Sequence, residues 1–222
     1  MEKIFLTEEE VDFGVKEAMN TLRTNLFYSG EQKVVAVTST FPGEGKSTVS
    51  MQLAKSFAEM GRPTLLIDCD MRKTQFKERY GVERDTIGLS EFLTGQKTQV
   101  VYATNIPNLS VVMSGKFPPN PSELLSNKYL EVLLETLKKY YEYIILDAPP
   151  IGSVVDASIV GHHADGILLV VRNNYVNKAE ARRAKRQLEQ NGGNIIGVIL
   201  NRVEHHHKDY YHYKKYYGYE TQ

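Results

Sequence analysis

The chain has 222 residues, 27 basic and 27 acidic side chains, 41% hydrophobic residues and a formal net charge of zero. That composition excludes a disordered, collagen-like or disulfide-dense protein, and the neutral balance argues against non-specific nucleic-acid binding, which needs a basic surface. The single cysteine, Cys69, excludes an internal disulfide and fits a reducing compartment.

Taken in chain order, the N-terminal stretch MEKIFLTEEEVDFG has neither the basic start nor the apolar core of a signal peptide. A leading helix is predicted over Thr7–Tyr28, with Val11, Val15, Ala18 and Leu22 at helical spacing. Apolar runs then alternate with helix-length segments. Strands are predicted at Val34–Ser39, Thr64–Cys69, Leu109–Ser114, Tyr143–Asp147, Gly166–Val171 and Ile195–Asn201, all buried on both faces. Helices are predicted at Ser47–Met60, Ser122–Tyr140, Ser153–His163 and Asn177–Gln190, the second opened by Asn120-Pro121-Ser122-Glu123. No apolar run approaches the ~20 residues a membrane-spanning helix needs, so a cytoplasmic protein is expected, held at the membrane only by a partner. The repetition implies an α/β fold: a doubly wound, mainly parallel sheet with helices on both faces and ligands at the carboxyl ends of the strands. Residues 1–203 are expected to form one domain. Glu204–Gln222, nearly devoid of aliphatic residues, reads as a flexible tail with no core of its own.

Between the first of these strands and its helix lies Ser39-Thr40-Phe41-Pro42-Gly43-Glu44-Gly45-Lys46-Ser47-Thr48. Gly43 and Gly45 let the backbone amides of residues 43–48 turn toward phosphate oxygens, and the following helix presents its positive end. Lys46 is placed to reach the β- and γ-phosphates, and the Ser47 hydroxyl to ligate Mg²⁺. Thr40 stands where the usual G-x-x-x-x-G-K-[ST] pattern begins with glycine. Two other strands end in acid: Leu65-Leu66-Ile67-Asp68-Cys69-Asp70-Met71-Arg72 and Tyr143-Ile144-Ile145-Leu146-Asp147-Ala148-Pro149-Pro150. Carboxylates at such ends hold Mg²⁺ or accept a proton from an attacking hydroxyl.

PGEGKS, LLIDCDMR and YIILDAPP together resemble the bacterial tyrosine kinases of capsule and exopolysaccharide systems, in their separate cytoplasmic form. Pro118-Pro119-Asn120-Pro121-Ser122-Glu123-Leu124-Leu125 and the terminal tyrosines add to the likeness. The resemblance implies a P-loop NTPase-type fold like the MinD/ParA ATPases and an ATP- and Mg²⁺-dependent protein-tyrosine kinase. It matches Lys46 and Ser47 to the first Walker motif, Asp68 and Asp70 to the second, called A′, and Asp147 to Walker B. Asp68 is then the acceptor of the substrate tyrosine's proton, and Asp70 and Asp147 organise the metal with Ser47. It further implies a transmembrane modulator that activates the kinase, a tyrosine phosphatase that reverses it, and a ring of subunits. Within that ring each subunit phosphorylates a neighbour's tail, here Tyr210, Tyr211, Tyr213, Tyr216, Tyr217 and Tyr219. The family's leading helix carries E-x-x-R-x-x-R for subunit contacts; here Glu17 and Arg23 remain and the first arginine is Asn20.

Other signals carry less. Asp12-Phe13-Gly14 lacks the companion motifs of eukaryotic kinases and reads as coincidence. His205-His206-His207 reads as solvated tail, and Cys69, between two carboxylates, as an unreactive buried thiol. Lys178, Arg182, Arg183, Lys185 and Arg186 crowd one helix, either as a solvated face or as a dock for an acidic partner or anionic lipid. The rival function is a MinD/ParA-like ATPase switch that passes phosphate to water and controls a membrane-associated partner. Phe41, where those proteins carry a further lysine, counts against an in-trans lysine mechanism but not against hydrolysis. A third reading, a scaffold that only senses nucleotide, is disfavoured by the intact set of Lys46, Ser47, Asp68, Asp70 and Asp147.

Overall fold

The computed structural model describes residues 1–8, 11–30 and 32–203. Its strands are β1 (Glu2–Lys3), β2 (Val34–Ser39), β3 (Thr64–Asp68), β4 (Val101–Ala103), β5 (Leu109–Val112), β6 (Tyr143–Asp147), β7 (Gly166–Arg172) and β8 (Ile195–Asn201). Its helices are α1 (Phe13–Tyr28), α2 (Lys46–Glu59), α3 (Phe76–Arg79), α4 (Leu89–Leu93), α5 (Pro121–Leu125), α6 (Lys128–Leu137), α7 (Asp156–His162) and α8 (Lys178–Gln190). The strands form one sheet in the order β1-β4-β5-β3-β6-β2-β7-β8. Every pairing is parallel except β4 with β5.

The central strands are apolar on both faces because helices cover both. Leu65 and Ile67 of β3 join a cluster with Leu130, Leu134, Ala184 and Leu188, whereas Leu66 between them joins Leu53, Phe57 and Leu26. Successive side chains of a strand point to opposite faces, so this alternation assigns α1 and α2 to one side and α4–α8 to the other.

Beyond β4, α3 and α4, which the sequence did not suggest, four main details differ from the sequence expectation. The helix expected from Thr7 starts at Phe13, because the Asp12 carboxylate accepts a hydrogen bond from the Gly14 amide at 2.7 Å and caps it there. Near the N-terminus the short strand β1 was not expected. Ile4 and Leu6 are buried while Phe5 points out, and the Ile4 amide bonds to the Ala103 carbonyl at 2.9 Å, adding β1 to the sheet edge. The helix expected over Ser122–Tyr140 is two, α5 and α6, separated where Ser126 ends one and Asn127 caps the next. Last, β8 is an edge strand rather than a strand buried on both faces. Val198 and Leu200 are each 57% exposed.

No helix among the described residues is long and apolar enough to cross a membrane. The tail, with Tyr210, Tyr211, Tyr213, Tyr216, Tyr217, Tyr219 and the histidine run, lies outside the described residues.

Candidate active site

The sheet brings three strand ends together. β6 lies between β3 and β2, and Asp68 at the end of β3 is in register with Asp147 at the end of β6. The loop after β2 rises beside them. A 600 Å³ cavity opens there, lined by Gly43, Gly45, Lys46 and Ser47 on one wall and by Asp68, Asp70 and Asp147 on the floor. Its outer part is lined by Phe76, Arg79, Tyr80, Pro149 and Pro150. Gly43, Gly45, Lys46, Ser47, Asp68, Asp70 and Asp147 thus line one cavity, whereas Glu17 and Arg23 lie away from it on α1.

The loop is braced from beneath. Glu44, fully buried, turns its carboxylate inward, accepting the Phe41 amide on one oxygen and the Arg172 amide, 2.9 Å away, on the other. Glu44 therefore offers the cavity only its backbone. Its carbonyl accepts a 2.8 Å bond from Asn201 Nδ2 at the end of β8. Gly45 adopts φ +92°, and a Cβ there would stand 2.3 Å from that amide nitrogen, so both conformation and space call for glycine. No side chain caps the start of α2. Its first amides, which have no intrahelical acceptors, are left to an anion.

Lys46 Nζ lies 3.1 Å from Asp70 Oδ2, 3.7 Å from Asp147 Oδ1 and 3.2 Å from Ser47 Oγ. Burial opposes its charge, but Asp147, Asp70 and Asp68 outweigh it and raise the ammonium's pKa above the ordinary value. Asp147 is raised by burial, against the pull of Lys46, and the Ser50 hydroxyl donates to it at 3.2 Å. Asp68 is pushed up to about 7, first by burial and then by Asp147. Its Oδ1 accepts the Asp70 amide at 3.0 Å and its Oδ2 accepts the Thr74 hydroxyl. A carboxylate titrating near 7 is matched to general-base work at neutral pH. The Cys69 thiol is pushed well up by burial and by the same carboxylates.

The donor set suits Mg²⁺. The Ser47 hydroxyl and the Asp70 and Asp147 carboxylates are hard oxygens grouped around one cationic position, where Lys46 Nζ now sits. Among the described residues no group of three or more His, Cys, Asp or Glu forms a metal cage. Mg²⁺ does not need one, since it usually keeps several waters and takes one or two carboxylates beside substrate phosphates.

Sequence reasoning assigned no role to a second polar network. Arg72 reaches across to Asp156 at the start of α7, Nε to Oδ2 at 2.7 Å, and to Ser122 Oγ at 2.9 Å. Ser122 Oγ in turn donates to Asp156 Oδ1 at 2.6 Å. Arg72 and Ser122 both stand in quoted motifs, but Asp156 is 84 positions from Arg72 and carries no local signal. The network ties the segment after Asp70 to α5 and α7. Asp156→Asn keeps the shape and removes the charge from this nearly buried carboxylate. It is expected to lower stability by about 1–2 kcal/mol, read as a lower urea midpoint at unchanged slope.

On α1, Asn20 stands between the two retained residues of the subunit-contact pattern. Its Nδ2 donates to Glu17 at 3.1 Å and its Oδ1 accepts from Arg23 at 3.0 Å. Arg23 also donates to the Ser56 carbonyl of α2 at 3.0 Å, so part of its capacity anchors α1 to the domain.

Known proteins resemble this chain over most of its length. Residues 32–182 match the AAA domain family. The tyrosine-protein kinase CpsD of Streptococcus pneumoniae is 42% identical over 209 residues, 92% of each chain. The kinase domain of the Escherichia coli tyrosine kinase ETK superposes with a TM-score of 0.83 at 31% identity, covering 91% of this chain and 89% of the other. The cell division ATPase MinD of Pyrococcus furiosus superposes with a TM-score of 0.66 at 23% identity, over 78% and 73% of the two chains. That last likeness speaks to the fold alone.

Proposed function

The chain belongs to the bacterial tyrosine-protein kinases, and from that premise we propose that it transfers the γ-phosphoryl group of ATP, with Mg²⁺, to the tyrosines of its own C-terminal cluster. The acceptors are Tyr210, Tyr211, Tyr213, Tyr216, Tyr217 and Tyr219 of a neighbouring subunit. The observation that carries the reading is the register of Asp68 with Asp147 beside Lys46, in a cavity that continues past the phosphate loop toward Phe76, Tyr80 and Pro149. That continuation gives an acceptor side chain a place to enter opposite the phosphates.

Bound Mg-ATP supplies the phosphoryl group and a divalent charge that offsets the phosphates. The protein's share is positioning and electrostatics. Amides of Gly43, Glu44, Gly45, Lys46, Ser47 and Thr48 would cradle the phosphates, and Ser47, Asp70 and Asp147 would hold the metal. Lys46 leaves its carboxylates to meet the charge on the transferred group. Asp68 would take the proton from the tyrosine hydroxyl as its oxygen bonds to the γ-phosphorus and the bond from that phosphorus to ADP breaks, with ADP leaving, and the Thr74 hydroxyl and Asp70 amide hold Asp68 in place.

Glu17 and Arg23 on α1 belong in this reading to a ring contact. A transmembrane modulator recruits and activates the enzyme at the inner face of the membrane, and a tyrosine phosphatase resets it, within capsule or exopolysaccharide synthesis and export. Intact-mass spectrometry after Mg-ATP tests the core of the proposal. A ladder of phosphate additions confined to residues 204–222, erased by phosphatase, is expected. Free phosphate in solution with none on tyrosine would overturn it in favour of an ATPase switch.

A further inference from the structure

The charge of this neutral chain is not spread evenly. Residues 166–203 carry Arg172, Lys178, Arg182, Arg183, Lys185, Arg186 and Arg202 against only Glu180 and Glu189, a net +5. Most of these cations lie on α8. Lys178, Arg182, Arg183, Lys185 and Arg186 are all exposed, while Ala184 and Leu188 turn to the core. The two acids do little to neutralise them. Glu189 pairs with Lys185, and Glu180 is occupied with the Asn177 amide in the cap of the helix. Lys178, Arg182, Arg183 and Arg186 make no ion pair among the described residues. Lys178, Arg182 and Arg186 stand four residues apart and form one stripe, its members roughly 6 Å apart along the axis.

We infer that this stripe on α8 is the docking site for the phosphorylated tail, residues 204–222 of the same chain. The inference rests on the tail being the phosphoacceptor. Unphosphorylated, the tail has three lysines and three acids and no net charge to offer. Each phosphotyrosine adds about −1.5 to −2 charge and three strong acceptor oxygens, which guanidinium forks bind in bidentate fashion. Position favours the same chain as partner. Asn201 pairs with Arg172 across β8 and β7, and the Asn173 amide bonds to the Asn201 carbonyl at 2.9 Å, so the tail departs at the edge where α8 begins. From Val203 to Tyr210 an extended chain spans about 24 Å, against ~20 Å for the whole of α8. Tyr211 and Tyr213, or Tyr217 and Tyr219, are two residues apart, about 6.5 Å on one face of an extended segment, which suits the spacing of the stripe. A lipid surface fits less well, because the apolar residues of α8 are buried and none is left to insert.

Docking would withdraw a finished tail from the neighbouring active site and keep unmodified tails in competition for it. The test uses a fluorescent synthetic peptide of residues 204–222 carrying phosphate on Tyr211, Tyr213, Tyr217 and Tyr219. It is titrated with phosphatase-treated full-length chain at physiological salt, and binding is read by anisotropy. Expected are binding at least tenfold tighter than for the unphosphorylated peptide, a loss of tenfold or more in Arg182→Ala/Arg186→Ala, and no displacement by Mg-ADP. Equal binding to the double variant, or displacement by Mg-ADP, would overturn the site. So would a double variant that loses binding to phosphatidylglycerol vesicles while keeping the phosphopeptide, which would make α8 a lipid surface. Since these phosphates are installed chemically, the result does not depend on the enzyme's own activity. A missing mass ladder with retained peptide binding faults the kinase assignment and leaves the dock standing.

Discussion

Replacing Lys46 with methionine lowers tyrosine phosphorylation by about 10²–10³-fold or more, the scale of losing one preorganised charge-stabilising donor, and weakens nucleotide binding. The same substitution is expected to cost stability. Lys46 Nζ is the cation between Asp70 and Asp147 at 3.1 and 3.7 Å, with Asp68 contributing to its field. Removing it leaves buried carboxylates facing one another. The cost should be roughly 1–3 kcal/mol, below the ~3–5 of an uncompensated buried charge, because Asp68 and Asp147 are already raised and take up protons instead. Phosphotyrosine detected by intact mass, together with a urea melt of the same sample, separates the two effects. Full phosphorylation in a folded Lys46→Met protein would remove the site from consideration.

Asp68→Asn acts in opposite directions on turnover and on stability. An amide accepts no proton, so turnover should fall by about 10²–10⁴-fold, while nucleotide affinity, which depends on the loop and Lys46, stays within a factor of roughly three. Stability should rise. Asp68 titrates near 7 in the folded chain against an ordinary 3.8, so the folded state keeps a proton between those values that the unfolded state has released. Stability therefore falls as pH climbs from about 4 toward 7, and the full penalty is present above 7. The neutral amide escapes it. At pH 8 without nucleotide the variant should melt a few degrees higher, at ~2–4 °C per kcal/mol for a chain of this size, and the two proteins should converge near pH 4. A variant that melts lower at pH 8 than at pH 4 relative to the parent would contradict the raised carboxyl.

Much of this arrangement was legible locally. Tyr143–Asp147 and Val34–Ser39 are apolar runs that end in the residues they present, and their limits need only composition and length. β1 and β4 were not legible, since two or three residues hold no period. They exist because Ile4 finds the Ala103 carbonyl and β4 turns back along β5. Asn127 interrupts what periodicity joins, since Leu124, Leu130, Leu133 and Leu137 continue one apolar stripe across the break. In the site, residue types announced Lys46, Ser47 and the three aspartates. Which way Glu44 points, and that Arg72 belongs to Asp156, follow from contacts between segments far apart in the chain. Glu44 sits within the loop motif yet divides its carboxylate between the Phe41 amide of the loop and the Arg172 amide of β7, a distinction that spacing does not encode.

The lysine resting among carboxylates has a thermodynamic consequence. A divalent ion arriving alone meets a position already compensated by Lys46, and a nucleotide arriving alone must draw Lys46 away and leave Asp70 and Asp147 to repel each other. Each ligand removes the obstacle to the other. If metal and nucleotide bind as proposed, their binding is cooperative, and by reciprocity the factor by which metal tightens nucleotide equals the factor by which nucleotide tightens metal. Under that reading a site whose lysine rests among carboxylates would act as a coincidence detector, answering to the pair and discounting either alone.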